Sequence, residues 1–556
     1  MNAMHVLSAA EMQACDRATT ERFGIPSIQL MRAASSAIAA FVRRQFPHAR
    51  RATVLCGKGN NGGDGMMAAR LLADAGLEVT TLLLGAPEHL TGDAAIAWSE
   101  LNSPKRGRIH VVMSGKALAD HDDALNTDLI VDAVLGTGFK PPLKGLALEA
   151  LEWLRGGRAP ILAIDLPSGW PADETSATVA GPVFPADAVI TFTAPKPAHV
   201  FGQLTRRWDQ PVVVAPIGSP NAAIVSALNL DWAGSSLALA QAPRAAAANK
   251  GNFGHVLVVG GAFGAAGGKA GAPAMTALAA MRAGAGLVTA AVPGPALQVV
   301  ASFAPELMTW PLAATRNGQI AAKNLEKKQI AELIDGKSVL AIGPGLGQSA
   351  ETARFVAGLL GATMIPAVVD ADALNILAAK PALIKKLAKG RTLVLTPHPG
   401  EMARLAKMSV AAVQAGRLET ARNFAQRMSV TLVLKGARTI IAHPDGRVAV
   451  NTSGNPGMAK GGSGDLLTGL IAGLLAQFPH DPARAVEAAV YLHGLAADLA
   501  VRDGDEHTLL PTDFLAQLAR AFQTHAHDFD EDGKNGYVWL QGHCMPHPES
   551  ASSGTA

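Results

Sequence analysis

The chain has 556 residues, of which 49% are hydrophobic and 17% are charged, and its formal net charge is +3. This length predicts two large α/β domains or about three smaller ones, and the composition excludes global disorder. The small net charge and the aromatic content of 4% argue against a nucleic-acid partner. The apolar segments are too short and too interrupted by glycine to span a bilayer.

The cysteines and the N-terminus indicate a reducing compartment. Cys15, Cys56 and Cys544 are too widely spaced for a metal quartet or a disulfide framework. The first residues lack the basic start and the long apolar run of a signal peptide. We therefore expect a cytoplasmic protein without a membrane partner.

Strands alternate with helices in the first half of the chain. Residues 1–50 are predicted to be mostly helical, and short β-rich runs follow them. This alternation predicts a parallel sheet covered on both faces, and thus an α/β fold. The strand candidates are 51–56, 78–84, 128–134, 160–167 and 188–193.

A second α/β series follows a region, from about 205 to 250, in which prolines and an alanine run indicate a connector. Helices are predicted at 465–478 and 483–501, and the polar tail after about His525 is expected to be flexible. We divide the chain into a first domain at 1–220, a connector at 221–249, a second domain at 250–523 and a tail at 524–556. The strand candidates of the second series are 255–261, 286–292, 338–345, 366–372, 392–397 and 431–436.

A glycine-rich turn, Gly57-Lys-Gly-Asn-Asn-Gly-Gly-Asp-Gly65, follows the first strand candidate. It matches the G-x-G-x-x-G dinucleotide fingerprint, but the acidic residue that should end the next strand is absent. Consecutive glycines at a helix start free backbone N–H groups to bind an anion. The alternative is a plain strand-to-helix turn, but the run of Gly, Asn and Asp is longer than such a turn needs. We therefore favour a binding site.

Two carboxylates stand at the ends of later strand candidates. Asp132 precedes a Leu-Gly-Thr-Gly-Phe segment, and Asp165 opens Asp-Leu-Pro-Ser-Gly. Either could be a simple cap. However, the carboxyl ends of parallel strands line the ligand crevice of such sheets, and three polar strand ends together favour a site.

These motifs, with Glu11-Met12, Leu30-Met31 and Ala-Pro-Lys196, resemble the YjeF N-terminal family of NAD(P)HX epimerases. The resemblance implies a Rossmann-like domain that interconverts the R and S forms of hydrated NADH and NADPH (NADHX and NADPHX). It implies that Asp165 contacts the substrate as an acid or base, and that a K⁺ ion is held by Asn61, Asp132 and Ser168. The implied substrate-binding residues are Asn60, Asn61, Gly62, Gly63, Asp64, Gly136, Thr137, Gly138, Phe139, Lys140, Pro141 and Pro142, with Asp165. The segment Met31-Arg-Ala-Ala-Ser35 departs from the family pattern, which usually has an acidic residue and Ala-Gly there.

The second half has no Walker A motif, because Lys269 after its glycine-rich loop is not followed by Ser or Thr. The strongest anion-binding signal is Lys460-Gly-Gly-Ser-Gly-Asp465, which opens a long apolar helix. The alternative is that Asp465 is a plain helix cap, but Ser463 would suffice for that. A carboxylate beside a phosphate-binding turn is electrostatically unfavourable unless it acts on a proton, so we favour a general base at Asp465. His398 shares a strand-end turn with Glu401, whereas His493 is interpreted as core packing.

From about Lys250 to Phe522 the chain resembles the ribokinase-like YjeF C-terminal family of ADP-dependent NAD(P)HX dehydratases. The resemblance rests on ordered motifs that include A-G-A-G-L-V (283–288), G-P-G-L-G (343–347), T-P-H-P-G-E-M (396–402) and G-M-A-K-G-G-S-G-D (457–465). It implies that Mg²⁺ bridges the phosphates of bound ADP without a dedicated protein cage. The implied contacts with the hydrated nucleotide are Ala274, Gly345, His398 and Asp465, and those with ADP are Lys435, Gly436, Ala437, Arg438, Thr439 and Gly464.

The implied chemistry fits these residue types. ADP would phosphorylate the hydroxyl on C6 of the hydrated ring, and elimination would release phosphate and restore NAD(P)H, leaving AMP. Asp465 would take the hydroxyl proton, and backbone N–H groups of 461–464 would stabilise the transferred phosphoryl group. Two alternatives stay open: a ribokinase-like small-molecule kinase with a regulatory first domain, and a first domain that only binds a partner. We also expect a homo-oligomer.

Overall fold

The computed structural model describes residues 3–102, 107–265, 267–530 and 536–542. The chain forms two units: one contains Met4–Leu230 and the described residues from His525 onward, and the other contains Asp231–Thr524. We call these the N-terminal unit and the C-terminal unit. The division at Leu230 falls inside the predicted connector. Cys15 and Cys56 are free, buried thiols, and Cys544 lies outside the described residues.

Two helices, Ala9–Glu21 and Ser27–Gln45, precede the sheet of the N-terminal unit, as predicted for the first 50 residues. Ser8 and Glu11 form a capping box at the start of the first helix, where Ser8 N donates to Glu11 Oε2 at 2.8 Å. The second helix buries apolar residues at helical spacing, so one of its faces packs against the core. The later helices of this unit are Asn60–Asp74, Gly92–Leu101, Gly115–Ala119, Leu146–Leu154 and Pro197–Phe201.

The sheet of the N-terminal unit is parallel except at one edge. It begins in its interior with Arg51–Cys56, extends to one side through Glu78–Leu84, and then returns to the other side at Leu129–Ala133. The chain reversal at Arg51–Cys56 makes a topological switch point, where open α/β sheets bind ligands. The spatial order is Val538–Gln541, Val212–Ala215, Ala188–Phe192, Ile161–Ile164, Leu129–Ala133, Arg51–Cys56, Glu78–Leu84 and Arg108–Val112.

All five strands predicted for the first half are present, two of them with the predicted bounds. Arg108–Val112 and Val212–Ala215 were missed, because the former is a short edge strand in which Val112 alone is buried and the latter lies between two prolines. The strand Val538–Gln541 pairs antiparallel with Val212–Ala215. This differs from the expected flexible tail. Four apolar or amide residues between polar, glycine-containing flanks gave no strand signal.

The sheet of the C-terminal unit also contains a switch point, because His255–Val259 lies between Leu287–Pro293 and Val339–Ile342. Six successive pairings from Met308–Leu312 to Thr431–Leu434 are parallel, and Ile440–Ala442 is antiparallel to both of its neighbours. The six predicted strands are present. The order is Val448–Val450, Ile440–Ala442, Thr431–Leu434, Leu393–Leu395, Ala367–Val369, Val339–Ile342, His255–Val259, Leu287–Pro293 and Met308–Leu312.

Two buried helices of the C-terminal unit, Gly271–Arg282 and Ser463–Gln477, approach closely through glycine. A Cβ atom on Gly469 would lie 2.1 Å from the carbonyl oxygen of Thr276, so no larger residue fits there. The prediction of helices near 465–478 and 483–501 is confirmed by Ser463–Gln477 and Pro482–Arg502. The other helices are Leu237–Ala240, Leu297–Ala301, Lys327–Ile334, Ala350–Ala362, Ala371–Ala378, Pro381–Ala388, Pro399–Ala406, Val410–Ala415, Arg417–Met428, Pro511–Ala516 and Leu518–Gln523.

None of the described helices combines the length and apolar character that a membrane span requires.

Candidate functional sites

The predicted segments of the N-terminal unit meet at the carboxyl edge of its sheet, beside the switch point. Gly57 N donates to Ala133 O at 3.0 Å, which joins the glycine-rich turn to the strand that carries Asp132. A Cβ atom on Gly136 would lie 2.9 Å from Asp165 Oδ2 and 3.1 Å from Asn61 Cγ. The structure therefore brings all three predicted segments into one site.

The glycine-rich turn is held too tightly for side chains at its centre. A Cβ atom on Gly62 would lie 1.9 Å from Gly57 O, and one on Gly63 would lie 2.6 Å from Met31 Cε. The helix Asn60–Asp74 begins within this turn, and no side chain caps it among the described residues. Its first N–H groups are therefore available to a negatively charged ligand.

The carboxylate of Asp165 is held by four hydrogen bonds. Its Oδ1 atom accepts from Lys196 Nζ and Thr191 Oγ1, both at 2.9 Å, and its Oδ2 atom accepts from Thr137 N at 2.7 Å and from the Thr137 hydroxyl. Burial alone would raise the pKa of Asp165, but Lys196, His199 and the hydrogen bonds outweigh burial and hold that pKa well below its usual value. Asp165 is therefore a fixed, ionised group.

Lys196 and His199 are site residues that the sequence analysis missed as such. Lys196 N donates to His199 Nδ1 at 2.9 Å, so the ring proton is on Nε2, which lies 2.7 Å from Asp165 O. Burial, with Lys196 nearby, lowers the pKa of His199 to about 4, so the ring is neutral. Lys196 was noted only within the Ala-Pro-Lys motif, and a single loop lysine gives no sequence signal that it is buried.

Two other carboxyl groups face the same site and hold protons more readily. Burial raises the pKa of Asp64 well above its usual value, and the nearby charges of Asp165 and Asp16 add to that effect. The pKa of Asp16, a residue that was not predicted, is also raised, first by partial desolvation and then by Asp165. Asp64 and Asp16 thus interact electrostatically with Asp165, and among the described residues the ion pair of Lys196 is with Asp165.

The predicted cation ligands Asp132 and Ser168 touch directly, because Ser168 Oγ donates to Asp132 Oδ1 at 2.6 Å and Ser168 N donates to Asp132 Oδ2 at 2.8 Å. Burial raises the pKa of Asp132 to about 6, and no ion pair to it exists within the described residues. Asn61 Nδ2 is buried without a hydrogen-bond partner in the described part of the chain. Asn61 lies against Gly136, because a Cβ atom on Gly136 would lie 3.2 Å from Asn61 Oδ1.

The second predicted substrate segment is only partly enclosed. Phe139 is half-buried and its N–H donates to Gly136 O at 2.9 Å, whereas Gly138, Lys140, Pro141 and Pro142 are exposed. The inner residues of the segment thus lie beside Asp165, and the outer residues line the surface.

In the C-terminal unit, a buried ion pair lies beside the predicted base. Lys435 Nζ is 2.8 Å from Asp370 Oδ1 and 3.9 Å from Glu401 Oε2, and Thr468 Oγ1 donates to Asp370 Oδ2 at 2.8 Å. Burial would lower the pKa of Lys435, but Asp370 and Glu401 outweigh it and raise that pKa. Lys435 is therefore a charged group at the site.

Asp465 stands in the first turn of the helix Ser463–Gln477. Burial and, after it, the neighbouring Asp370 carboxylate raise its pKa to about 7, against the opposing effects of Lys435 and Lys269. A carboxyl group that titrates near neutral pH is suited to accept a proton from a substrate hydroxyl.

The start of that helix is not capped in the way the plain-cap alternative requires. Ser463 Oγ donates to Met458 O at 2.7 Å, and no side chain caps the helix within the described residues. Gly462 has a φ of +102°, a conformation that favours glycine. His493 is buried, packs edge-on against Phe514 with ring centroids 5.4 Å apart, and lies 3.0 Å from Ser463 O. It is a core residue, as predicted, and it also fixes the helix start.

His398 and Glu401 form a reciprocal cap at the start of the helix Pro399–Ala406. Gly400 N donates to His398 Nδ1 at 3.0 Å, and His398 N donates to Glu401 Oε2 at 2.9 Å. The imidazole is exposed, while the Glu401 carboxyl is buried near Lys435. The structure thus places this turn beside the Asp370–Lys435 pair.

The glycine-rich loop and the turn at 343–347 touch each other. Gly345 has a φ of +66°, and a Cβ atom there would lie 2.7 Å from Lys269 O. Asp372, which was not predicted, accepts a hydrogen bond from Gly347 N at 2.9 Å and lies 3.5 Å from Lys269 Nζ. Ala274 is 1% exposed beneath this loop, so its side chain is enclosed.

The predicted nucleotide-binding segment is a turn between two strands. Arg417 Nη1 donates to Ala437 O, and Thr439 Oγ1 donates to Gly436 O at 2.8 Å. Gly436 and Ala437 are exposed, and Arg438 Nη1 donates to Thr452 O at 3.1 Å. Gly464 adjoins this segment, because a Cβ atom there would lie 3.4 Å from Lys435 Nζ.

Comparisons with known proteins identify the families that the two halves of the chain match. The family described as NAD(P)H-hydrate dehydratase matches residues 256–520, and the family of YjeF-related protein N-termini matches residues 27–198. A bifunctional NAD(P)H-hydrate repair enzyme of Moorella thermoacetica is 40% identical over 525 residues, which cover 92% of this chain and 95% of the relative. The chain belongs to the bifunctional NAD(P)H-hydrate repair enzymes.

Another curated relative and a solved structure are also similar to this chain. The enzyme of Escherichia coli strain K12 is 35% identical over 537 residues, covering 94% of this chain and 95% of its own length. Among solved structures, the ADP/ATP-dependent NAD(P)H-hydrate dehydratase of Bacillus subtilis, co-crystallised with ATP and Mg²⁺, is 32% identical and covers 52% of this chain and 96% of its own, with a TM-score of 0.43. Both resemblances found in the sequence are confirmed.

Proposed function

We propose that the protein repairs hydrated NADH and NADPH by two activities, an epimerase in the N-terminal unit and an ADP-dependent dehydratase in the C-terminal unit. The observation that carries the dehydratase assignment is Asp465, a carboxyl group with a pKa of about 7 in the first turn of an uncapped helix beside Lys435. Family membership supports both activities over a small-molecule kinase, and the intact Asp165 site supports an epimerase over a mere partner-binding domain.

In the dehydratase, Asp465 takes the proton of the substrate's C6 hydroxyl as that oxygen forms a bond to the β-phosphorus of ADP, and the bond to the bridging oxygen breaks to release AMP. The new phosphate ester then leaves C6 with its bonding electrons, a proton leaves C5, and NAD(P)H forms. Lys435 and the N–H groups at the helix start stabilise the negative charge of the transferred group. His398 and Gly345 are the proposed substrate contacts, and Gly436–Thr439 with Gly464 the proposed nucleotide contacts. The predicted contact at Ala274 is not retained, because its side chain is enclosed.

Mg²⁺ would enter with the nucleotide and neutralise its phosphates. Within the described residues, no group of three or more His, Cys, Asp or Glu side chains could hold a metal ion. That absence fits an ion held mainly by phosphate oxygens and water, as Mg²⁺ usually is. Lys269 and Lys435 supply the protein's positive charge at this site.

In the epimerase, the ionised Asp165 holds Lys196 in place beside the substrate segments 60–64 and 136–142. Asp165 can accept a proton but is a weak base, whereas Asp64 and Asp16 hold protons more readily and are the proposed donors. We propose that epimerisation proceeds by opening and reclosing the C6–N1 bond of the hydrated ring. This route needs one proton acceptor and one proton donor, because the C6 hydroxyl loses a proton as the ring nitrogen gains one.

A K⁺ ion suits the Asp132 site, because Asp132 is a wholly buried carboxylate without an ion-pair partner in the described chain. Asp132, Ser168 and the side-chain oxygen of Asn61 are its proposed ligands, and the cation would neutralise the buried charge. Replacing K⁺ by the bulky tetramethylammonium ion should lower the thermal stability of the N-terminal unit. An unchanged unfolding temperature would contradict this assignment.

The decisive experiment combines the protein with racemic NADHX, Mg²⁺, K⁺ and either ADP or ATP, and follows absorbance of the reduced ring together with AMP. We expect full recovery with ADP and equimolar AMP. Recovery that stops at half would contradict the epimerase, and a stable phosphorylated product without NADH would contradict the dehydratase. We also propose a cytoplasmic homo-oligomer, which cell fractionation and sedimentation test.

A further inference from the structure

The tail beyond the C-terminal unit is built into the N-terminal unit. We call residues 525–530 and 536–542 the C-terminal segment. Trp539 pairs with Val213 in the antiparallel edge of the sheet, and Trp539 N also donates to Ala526 O at 2.9 Å. Asp528 N donates to Tyr537 O at 3.1 Å. The segment therefore folds back on itself while it extends the sheet. It lies beyond both matched family regions, which end at residues 198 and 520.

The aromatic side chains of the C-terminal segment hold the helix Ser27–Gln45. The Tyr537 ring meets Phe41 edge-on at 5.3 Å, and the Tyr537 hydroxyl donates to Ala37 O at 2.8 Å. The Arg44 guanidinium lies 5.4 Å from the Trp539 ring centroid and also pairs with Asp528. Phe41, Tyr537 and Trp539 belong to one hydrophobic cluster and are at most 5% exposed.

The opposite part of the same helix touches the glycine-rich turn. Ser35 Oγ lies 3.1 Å from Asp64 O, and Met31 Cε lies where a side chain on Gly63 would be. Met31 and Ser35 belong to the segment that departs from the family pattern. Ser35 and Phe41 are six positions apart, which is about 9 Å along a helix. The helix therefore connects the C-terminal segment to the turn that starts the proposed substrate site.

We propose that the C-terminal segment is a positioning element of the N-terminal unit, which fixes the helix Ser27–Gln45 and, through Met31 and Ser35, the glycine-rich turn. The expected effect on substrate binding rests on the proposed epimerase function, whereas the fixing of the helix and the turn does not depend on it. One corollary is that the N-terminal site is complete only when the chain has been made to residue 542, after the whole C-terminal unit.

The test uses the full chain with Trp539→Ala, the conservative Trp539→Phe, and His525→Ala as a matched control, since His525 is an exposed residue of the same segment. Hydrogen exchange is measured for peptides covering 27–45 and 57–66. We expect exchange there to rise about tenfold in Trp539→Ala, less in Trp539→Phe, and not in the control. Faster exchange confined to the edge strands 212–215 and 538–541 would overturn the proposal.

The catalytic arm compares KM for R-NADHX with turnover of S-NADHX in the same sample. We expect Trp539→Ala to raise KM for epimerisation about tenfold and to leave dehydration unchanged, with most of the loss restored in Trp539→Phe. Equal loss of both activities, or no change in epimerisation, would count against the segment's role. If the native protein does not epimerise NADHX, the exchange arm still decides the positioning, and only the proposed function fails.

Discussion

Each of the two sites contains an aspartate and a nearby lysine, but the lysine pairs with that aspartate in only one of them. Asp165 and Asp465 both follow strands or turns at the carboxyl edge of a largely parallel sheet, and both have a buried lysine nearby. Lys196 pairs directly with Asp165 at 2.9 Å, which holds that pKa down. Lys435 instead pairs with Asp370 at 2.8 Å, and burial leaves Asp465 with a pKa of about 7.

This difference shows that the partner of the lysine decides what each carboxylate can do. A carboxylate that is directly paired stays ionised and is a weak base, as Asp165 is. A carboxylate beside an occupied lysine is desolvated and also repelled by the neighbouring anion, so it can exchange protons near neutral pH. Removing each charge in turn should therefore have different effects in the two units.

The largest expected effect follows from removing the two carboxylates. Asp465→Asn should slow dehydration of S-NADHX by about 10²–10⁴-fold, because the proton acceptor is lost, and should leave epimerisation intact. Asp165→Asn should do the reverse, which makes each variant the control for the other. AMP formation and interconversion of R- and S-NADHX, followed by chromatography, measure the two rates. Parallel loss of both activities in either variant would disprove independent sites.

A second prediction concerns the direct ion pair of the N-terminal unit. Lys196→Met leaves Asp165 buried without its cation, and breaking such a pair costs about 3–5 kcal/mol of stability. The folded-state pKa of Asp165 should then rise, so epimerisation should fall as pH decreases below neutral. In the native protein that pKa is depressed, so the carboxylate stays ionised near neutral pH. Its stabilising effect is lost progressively as the pH falls from the ordinary aspartate pKa of about 3.9 toward the lower folded-state pKa.

Epimerisation rates and thermal unfolding between pH 5 and 8 would measure this effect. Lys116→Met is a suitable control, because Lys116 is an exposed lysine of the same unit. A variant whose activity is reduced by the same factor at every pH would show that Lys196 does not set the protonation state of Asp165.

The sequence predicts much of this arrangement, because the residue types at strand ends and helix starts can be identified from short segments of the chain. Asp132 and Asp165 end β-rich runs, Asp465 opens an apolar helix, and parallel strands bring such ends to one edge. The glycine-rich turn of the N-terminal unit could be identified because no larger residue fits at Gly62.

The rest could not be predicted because it depends on contacts between distant residues. Nothing local to Lys196 or Lys435 tells which carboxylate each will meet, and the pKa of Asp165 and Asp465 depends on that choice. His199 is a site residue only because its ring lies between Lys196 N and Asp165 O. The strand Val538–Gln541 depends on packing against Phe41 and Arg44, which lie about 500 residues earlier in the chain.

The smallest expected effect would sharpen the comparison directly. Asp370→Asn removes the anion that raises the pKa of Asp465 and leaves Lys435 free to interact with Asp465 instead. The C-terminal site should then resemble the Asp165–Lys196 pair. Dehydration requires ionised Asp465, so its rate rises with pH through about 7 in the native protein. In Asp370→Asn we expect that rise about one pH unit lower.

Single-turnover dehydration of S-NADHX between pH 5 and 9 would locate the midpoint of this rise, and Asp335→Asn, at an exposed position of the same unit, is the control. A midpoint that stays in place would mean that desolvation alone sets the pKa of Asp465. The two sites would then differ in burial, and the choice of lysine partner would not explain their chemistry. A shift to lower pH would show that moving one ion pair converts a base that titrates near neutral pH into a weaker one that stays ionised.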